Sequence, residues 1–458
     1  MKKGFIKSLF VIACLSFCTN ASADGFEIDG VYYVTTSSQT VTVFYLTNSE
    51  FSGELNIPEE VEYNNATYTV TAIKDRAFWY CSNLTKVTIP NTITAIGDEA
   101  FYFCQSLEKV ELPIDITKIG NHTFNNCSSL TNITIGDNVK TIGDHAFYYC
   151  VNLTGLVLPN SVEEIGTSAF EGCRGLTNLV IGNSVKTIGE SAFYFCDNLT
   201  ELALPNSVES IGDHAFGGWS SLIDLTFGNN IKSIGDGAFS GCGHLTEVIL
   251  PSSITMISNK LFSGCSRLGS VNIPDGITSI GDEAFSGCKL TSVTIPDNVT
   301  SIGDKAFSRS GLSSIVLGNS IKTIGNSAFN YCKMTSIILP GSVASIGNFA
   351  FENCSYLASV TSLNITPPDI KKTTFDDTTF HDATLYIPQD ALVTYQNAEV
   401  WKNFGNLQGD PTGIENINIL DTKEVKRYDA VGREANSNHK GLTIIKMSDG
   451  TTKKVMVK

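Results

Sequence analysis

The most reactive side chains in this sequence are cysteine thiols, and most of them occupy one position of a repeated motif. Of the 13 Cys in 458 residues, Cys14 and Cys18 precede residue 24, and the other eleven each follow a Phe by three positions. These eleven are Cys81, Cys104, Cys127, Cys150, Cys173, Cys196, Cys242, Cys265, Cys288, Cys332 and Cys354. If the motifs stack at a strand spacing of ~4.8 Å, disulfides are sterically possible, because bridged Cα atoms lie ~4.4–6.8 Å apart. The odd number, the parallel side chains and the replacement of Cys by Trp219 and Ser310 favour buried free thiols instead.

Other motifs that could support catalysis or metal binding are weak. The sequence contains no HExxH, P-loop, GxGxxG or GxSxG string. His122 and His145 share one motif position, and His214 occupies it again three copies later. Two aligned imidazoles could bind a metal ion weakly, but one repeated position brings no converging ligands, so solvated turn residues are the favoured interpretation. We therefore predict a protein that is not an enzyme, with no catalytic residue, cofactor or metal site.

The cysteine motif belongs to a unit that recurs along most of the chain. An Ile returns every 23 residues from Ile73 to Ile280 and then every 22 residues up to Ile346. The shortening occurs between Cys and the following Leu, where one residue replaces two. Thirteen copies at a fixed period, over residues 73–363, predict a solenoid in which each copy packs mainly on its neighbours.

One copy can be divided into a strand, a turn, a short strand and a helical turn. Residues 156–158 alternate like a strand, and Pro159 ends it because Pro cannot donate to a ladder. A second extended piece runs to Ile165, and Gly166 turns the chain. Asp, Asn or Thr follows in twelve of thirteen copies, which is typical of a helix N-cap. The next residues, Ala-Phe-x-x-Cys, predict one or two turns of helix with Phe and Cys on one face.

The repeated Phe should form the interior of the solenoid, because stacking aligns equal positions of successive copies. Twelve steps of ~4.8 Å give an array on the order of 60 Å long. The thirteen rings of this predicted core ladder are Phe78, Phe101, Phe124, Phe147, Phe170, Phe193, Phe216, Phe239, Phe262, Phe285, Phe307, Phe329 and Phe351.

The motif Ile-Gly-x-x-Ala-Phe-x-x-Cys-x-x-Leu-Thr-x-Val-x-Leu-Pro resembles the BspA-type leucine-rich repeat of bacterial surface proteins. The resemblance covers about 290 residues and implies a leucine-rich-repeat solenoid of short β-strands plus helical turns. It also implies that the Leu-x-x-Val-x-Leu strands line a concave face, and that the protein binds host matrix or plasma proteins or other bacteria. The motif fixes no binding residue, so none is carried over.

The ends of the chain lack the repeat. Residues 1–23 have the features of a signal peptide, with Lys2, Lys3 and Lys7 before an apolar stretch and small residues before Asp24. Lipidation at Cys14 is a less favoured alternative. Residues 24–72 alternate like strands and predict an N-terminal β cap. Residues 364–408 predict a C-terminal cap, in which Tyr395 and Trp401 are expected to cover the last coil rather than to bind sugar.

A linker at residues 409–416, rich in Gly, Pro and Asp, precedes a small C-terminal β domain at 417–458. This domain contains Tyr-Asp-x-x-Gly-Arg and ends in Lys-Val-Met-Val-Lys, and it resembles the sorting domains of type IX secretion. The resemblance implies export to the cell surface and possible anchoring at the outer membrane. A plain β domain remains the alternative.

Charge excludes several classes of partner. The formal net charge is -15, although residues 417–458 hold nine Lys or Arg against five Asp or Glu. The rest of the chain is therefore strongly acidic, which argues against nucleic acid or an anionic membrane surface as the partner. No stretch after residue 23 is long and apolar enough to predict a transmembrane span.

Outward positions on the predicted concave strands are the candidate site. Apolar residues occupy one such column in two patches and at one further position, and acids occupy the neighbouring column in three successive copies. These candidate partner-binding residues are Val157 and Val180, Val316 and Ile338, Ile249, and Glu201, Asp224 and Glu247. Exposed apolar surface often marks a partner site, and adjacent acids suit a basic partner. Ordinary β-propensity of Val and Ile is the alternative explanation.

We therefore predict a secreted or surface-displayed adhesin that recognises proteins through its concave strand face. A surface protein that binds glycans or nutrients is the second hypothesis, and Tyr395 and Trp401 are the residues that would support it.

Overall fold

The computed structural model describes residues 25–46, 52–410, 424–429, 441–447 and 452–457. The expected signal peptide at 1–23, Cys14 and residues 411–416 of the expected linker lie outside these ranges. In the described part of the chain, no helix has the length and apolar character that crossing a membrane requires.

The N-terminal segment is β-rich and leads directly into the repeats. Its strands are β1 (Gly25–Ile28), β2 (Val31–Thr35), β3 (Thr40–Leu46), β4 (Gly53–Asn56), β5 (Glu60–Tyr63) and β6 (Ala66–Ile73). The pairs β1–β2, β2–β3 and β5–β6 are antiparallel, whereas β3–β6 is parallel. β4 pairs in parallel with the first repeat strand, and the end of β6 pairs in parallel with the second. The parallel solenoid ladder therefore begins within residues 53–73.

Each coil contributes one strand to each of two parallel columns. The first column contains β7 (Leu84–Thr88), β9 (Lys109–Glu111), β11 (Asn132–Thr134), β13 (Gly155–Val157), β15 (Asn178–Val180), β17 (Glu201–Ala203), β19 (Asp224–Thr226), β21 (Glu247–Ile249), β23 (Ser270–Asn272), β25 (Ser292–Thr294), β27 (Ser314–Val316) and β29 (Ser336–Leu339). The second column contains β8 (Ala95–Ile96), β10 (Lys118–Ile119), β12 (Thr141–Ile142), β14 (Glu164–Ile165), β16 (Thr187–Ile188), β18 (Ser210–Ile211), β20 (Ser233–Ile234), β22 (Met256–Ile257), β24 (Ser279–Ile280), β26 (Ser301–Ile302), β28 (Thr323–Ile324) and β30 (Ser345–Ile346). This architecture confirms the predicted leucine-rich-repeat solenoid.

The segment that contains Ala-Phe-x-x-Cys is a series of tight turns, and the predicted helical turn is wrong. Its backbone amides donate alternately to a carbonyl of the same coil and to a carbonyl of the next coil. The amide of Cys81 closes a turn on the carbonyl of Phe78 (3.1 Å), whereas the amide of Phe78 donates to Ala100 in the next coil (2.8 Å). The residue before Cys is left-handed, as at Tyr80 with φ 58°. Inter-coil bonds therefore replace the i to i−4 bonds that a helix would need.

The recurrence of Asp and Asn after Ile-Gly along the chain also has a different cause from the predicted N-cap. Asp98 Oδ1 accepts the amide of Asn121 in the next coil (2.9 Å), and Asn121 Oδ1 accepts the amide of Asp144 (2.9 Å). These short side chains thus connect coils rather than cap a helix. The preceding Gly allows the approach, because a Cβ at Gly143 would lie 2.7 Å from the Gly120 carbonyl carbon.

The predicted Phe ladder is confirmed. Successive rings from Phe78 to Phe351 are stacked, with centroids 5.0 to 5.9 Å apart and interplanar angles of 3 to 15°. All thirteen rings are fully buried. The stack continues to Phe375 in the C-terminal cap, whose ring lies 5.0 Å from that of Phe351. The cap therefore extends the ladder before it closes it.

The eleven cysteines are free and buried, as the free-thiol interpretation predicts. Ten thiols donate to the carbonyl of the Phe in the preceding coil, as Cys150 does to Phe124 (3.2 Å). Trp219, which replaces Cys, makes the same bond through Nε1 to Phe193 (2.6 Å). What Cys and Trp share at this position is therefore a buried hydrogen-bond donor, not the reactivity of a thiol.

From Pro113 to Pro251, the residues that end the strands of the first column alternate between Pro and Gly, and two of these glycines have a steric reason. A Cβ at Gly182 would lie 2.3 Å from the carbonyl oxygen of Pro159 in the preceding coil. A Cβ at Gly228 would lie 2.4 Å from that of Pro205. The Pro-ended strand pairs with the Gly-ended strand that follows, as β13 does with β15 and β17 with β19. Two coils thus form one close-packed pair.

The C-terminal cap adds three strands to the first column. β31 (Ser359–Ser362), β32 (Thr384–Pro388) and β33 (Asn406–Asp410) follow β29 in parallel order. The connections contain helices α1 (Asp377–Asp382) and α2 (Leu392–Asn397) and two 3-10 turns, Gln389–Ala391 and Trp401–Asn403. Farther along the chain, β34 (Glu424–Asp429), β35 (Gly441–Met447) and β36 (Thr452–Val457) form an antiparallel sheet.

Candidate protein-binding face

The first column of strands presents a regular outward surface, which we call the strand face. In a typical three-residue strand, such as β17 or β21, the middle residue is buried and the first and third residues are exposed. Parallel in-register pairing then aligns equal positions into two outward columns. The strand face is therefore an ordered array whose chemistry changes from coil to coil.

A groove with one apolar wall, which we call the apolar groove, lies on the strand face at β11, β13 and β15. Val157 and Val180 are directly paired across the strands and remain 57% and 47% exposed. They line a groove of about 780 Å³ together with residues of the neighbouring coils. The predicted first apolar patch is thus a single surface formed by two adjacent side chains.

The depth of this groove comes from a residue that the sequence-based prediction missed. A Cβ placed on Gly155 would have no atom within 4 Å, so the first outward column has a gap there. Asn132 and Asn178 occupy the same column in the coils on either side. The groove therefore combines an apolar wall with polar side chains, which include Asn132, Asp137, Asn160, Asn178 and Asn183. A Gly at an otherwise side-chain-bearing outward position is the signal that could have indicated it.

Three carboxylates follow the groove in the first outward column. Glu201 and Asp224 are directly paired, and Glu247 lies on the next strand of the column. In contrast, the two lysines of this column are neutralised: Lys86 pairs with Glu54 (3.2 Å) and Lys109 with Glu111 (2.7 Å). Within the described residues, none of the salt bridges involves Glu201, Asp224 or Glu247. This part of the face therefore carries uncompensated negative charge.

The remaining predicted apolar residues differ in exposure. Ile249 is 72% exposed and lies on the same strand as Glu247. Val316 in β27 and Ile338 in β29 are both partly buried. The second predicted patch is therefore less accessible than the first, and the structure does not bring it close to the acids.

The cysteine thiols and the stacked histidines are the other potentially reactive groups. Burial raises the pKa of the Cys81 thiol to about 11 and that of Cys173 to about 12, which disfavours the nucleophilic thiolate. The rings of His122 and His145 are stacked with centroids 4.6 Å apart. Burial is the main cause that lowers the pKa of His122, and the neighbouring His145 lowers it further. Among the described residues, no three His, Cys, Asp or Glu side chains are grouped to hold a metal ion.

Tyr395 and Trp401 are core residues of the C-terminal cap. Their exposed fractions are 0% and 2%. The Tyr395 hydroxyl lies 2.7 Å from Ser362 Oγ, and Trp401 Nε1 donates to the carbonyl of Pro368 (2.8 Å). The expectation that they cover the last coil is confirmed. Neither ring offers a free face for stacking on a sugar.

Comparison with known proteins agrees with this architecture. Residues 46–177, 169–290 and 278–398 match the family described as BspA type Leucine rich repeat region (6 copies). A leucine-rich repeat protein from Bacteroides ovatus ATCC 8483 is 28% identical with a TM-score of 0.68, and the match covers 84% of this chain and 99% of that one. A leucine rich cell surface protein from Faecalibacterium prausnitzii A2-165 is also 28% identical, with a TM-score of 0.51 over 75% of this chain and 96% of that one. The comparison with curated proteins gives no significant match.

Three overlapping family matches thus cover most of the chain, and they coincide with the stacked coils seen in the structure. This chain belongs to the BspA-type leucine-rich repeat family.

Proposed function

We propose that this protein is an exported, surface-displayed adhesin that binds a protein ligand on its strand face. The observation that carries the proposal is the juxtaposition of the apolar groove at Val157 and Val180 with the uncompensated carboxylates of the next three coils. An apolar patch beside one sign of charge suits a protein surface with an apolar anchor and basic residues. The family and the cell surface protein among the structural relatives support the same role.

The expected ligand is a protein of the host matrix or of another bacterial surface. A ligand that spans the groove and the acids would contact β13 to β21. The glycan or nutrient hypothesis is not favoured, because the two aromatic residues on which it depended are buried.

Neutralising the acids tests the charged half of the site. A triple variant, Glu201→Gln with Asp224→Asn and Glu247→Gln, should bind the captured protein about tenfold more weakly at low salt. The loss of affinity should be smaller at high salt, and pull-down and equilibrium binding both measure it. The matched control is Ser270→Lys, Ser292→Lys and Ser314→Lys, which changes net charge equally in the same column of the strand face. Equal effects of the two variants would mean that only the overall charge matters.

The groove is tested by a change that preserves shape. Val157→Thr with Val180→Thr keeps β-branched side chains but replaces two methyl groups by hydroxyls. We expect a loss of about 1–2 kcal/mol of binding free energy if both side chains are covered by the ligand, with no loss of thermal stability. Unchanged affinity of this variant would exclude the groove from the interface.

We further propose that residues 1–23 direct export and that residues 417–458 direct sorting to the outer surface and anchoring there. The supporting features are the charged and apolar leader and the Tyr-Asp-x-x-Gly-Arg segment. Deletion of 417–458 should retain export across the inner membrane but abolish surface display. Surface delivery that persists without this segment would remove the sorting proposal and leave the binding proposal intact.

A further inference from the structure

A second surface, formed by the tight turns, carries aromatic rings at a position where the backbone favours glycine. The residue before Cys has a left-handed backbone in every coil, with φ near 58° at Tyr80 and Phe103. Glycine occupies this position in five coils, at Gly172, Gly218, Gly241, Gly264 and Gly287. A bulky residue in this conformation is strained. The rings are therefore not explained by the needs of the turn itself.

In the first two coils, the left-handed residues Tyr80 and Phe103 form a continuous cluster with the residues that precede them, Trp79 and Tyr102, and we call these four residues the aromatic strip. Tyr80 stacks on Phe103 with centroids 4.8 Å apart, and Trp79 lies parallel to Tyr102 at 6.4 Å. Trp79 and Tyr80 are nevertheless 46% and 45% exposed. Large exposed aromatic surface of this kind is typical of an interaction site.

The chain itself shows what such a ring binds. The guanidinium of Arg174 lies over the ring of Phe195, 6.0 Å from its centroid, and that of Arg309 lies over Tyr331 at 5.5 Å. Phe195 and Tyr331 occupy the same left-handed position as Tyr80 and Phe103. In two other coils, therefore, a cation from the preceding coil is placed on this ring.

Within the part of the chain that the structure describes, no Lys or Arg lies over a ring of the aromatic strip. Arg76, the nearest arginine in sequence, is held by Glu99 through two hydrogen bonds of 2.9 and 2.7 Å. The turn segments 74–82, 97–105, 120–128 and 143–151 contain four acids, Asp75, Asp98, Glu99 and Asp144, against two basic residues, Lys74 and the paired Arg76. Exposed rings beside negative charge are complementary to a guanidinium, which is planar, weakly hydrated and always charged.

We propose that the aromatic strip is a second binding surface, and that it receives arginine side chains from a cationic segment of a partner protein. It lies on the turns and not on the strand face, so it does not depend on the adhesive site proposed above. A partner that engages both surfaces would gain avidity from two separate contacts on one rigid solenoid.

The test uses the purified full chain and two synthetic peptides of equal length and charge, one of arginine and one of lysine, each separated by Gly and Ser. We expect the arginine peptide to bind more tightly. We expect Tyr80→Gly with Phe103→Gly to weaken its binding roughly fourfold to twenty-five-fold, because each of the two exposed cation–π contacts is worth roughly a factor of two to five. Tyr356→Ala is the matched control, because this exposed aromatic residue lies outside the strip.

Glycine is the informative substitution because it relieves the left-handed strain. The Tyr80→Gly and Phe103→Gly variant should therefore keep or raise its melting temperature while it loses the peptide, which a purely structural role for the rings would not produce. A lower melting temperature with unchanged peptide affinity would overturn the proposal. Equal binding of the lysine peptide would also overturn it, as would strip-dependent binding of an uncharged proline-rich peptide or oligosaccharide in place of the arginine peptide.

Discussion

Replacing Phe216 by alanine should cause one of the largest losses of stability that a single substitution can produce in this protein. The ring is fully buried and stacks between Phe193 at 5.6 Å and Phe239 at 5.4 Å. Trp219 also packs edge-on against it at 5.2 Å. Truncation removes the transfer free energy of the ring and leaves a cavity between coils that cannot collapse, because the inter-coil hydrogen bonds fix their spacing. We expect a loss of about 4–5 kcal/mol.

The position of Phe216 in the middle of the array adds a second expectation. In a solenoid each coil contacts mainly its neighbours, so a defect in the middle weakens the coupling between the two halves. Urea unfolding followed by far-UV circular dichroism should therefore show a lower midpoint and a broader or biphasic transition. Tyr356→Ala, at an exposed site, is the control. A single transition with the wild-type midpoint would refute the ladder as the source of stability.

Three further substitutions or conditions test the same packing. Cys150→Ala should cost about 1–2 kcal/mol because it removes the thiol donor to Phe124, and Cys150→Ser should cost less if the donor is what matters; thermal melts of both variants decide this. Gly143→Ala should cost about 1–3 kcal/mol because its Cβ would strike the preceding coil, and a neutral result would show that the coils can separate at no cost. Burial raises the pKa of Cys81 to about 11 and of Cys173 to about 12, so the folded state holds its thiol protons longer than the unfolded state does. The stability that each buried thiol contributes is therefore fully present below about pH 9 and is lost as the pH rises, by about 1.4 kcal/mol per such thiol at pH 10. Alkaline denaturation monitored by circular dichroism should be steep. A flat profile up to about pH 11 would contradict the buried ladder.

The sequence was sufficient for the solenoid and its core because both depend on identity at equal positions. Thirteen Phe and eleven Cys at one spacing can be buried together only if the copies stack in register. In the structure, all of these side chains are buried. The continuation of the stack to Phe375 could not be predicted, since that residue lies outside the repeated motif.

The turns were harder to predict because local propensity is the wrong guide to them. Asp followed by Ala-Phe-x-x-Cys is typical of a capped helix. In this solenoid, however, every second amide of the turn donates to the next coil, and the Asx side-chain oxygens accept amides of the next coil. A signal was present in the repeated glycines at one position, such as Gly218 and Gly241, which indicate a left-handed backbone. Aromatic residues at the same position in other coils obscured it.

The candidate site was predicted in part. The two outward columns follow from strand alternation, so Val157, Val180 and the acids were placed on one face from sequence. Accessibility was not predictable position by position, because it depends on side chains in neighbouring coils. Ile338 is therefore more covered than expected, and the gap at Gly155 was not recognised as part of a groove.

The most direct test of the strand face as the adhesive site is a hydrogen-exchange footprint of the full chain with the protein it captures from host matrix or bacterial surfaces. The proposal predicts slower amide exchange in β13 to β21, centred on residues 155–180 and 201–249, with the C-terminal cap unchanged. Protection confined to the turns or to the cap, with β13 to β21 exchanging as in the free protein, would contradict it.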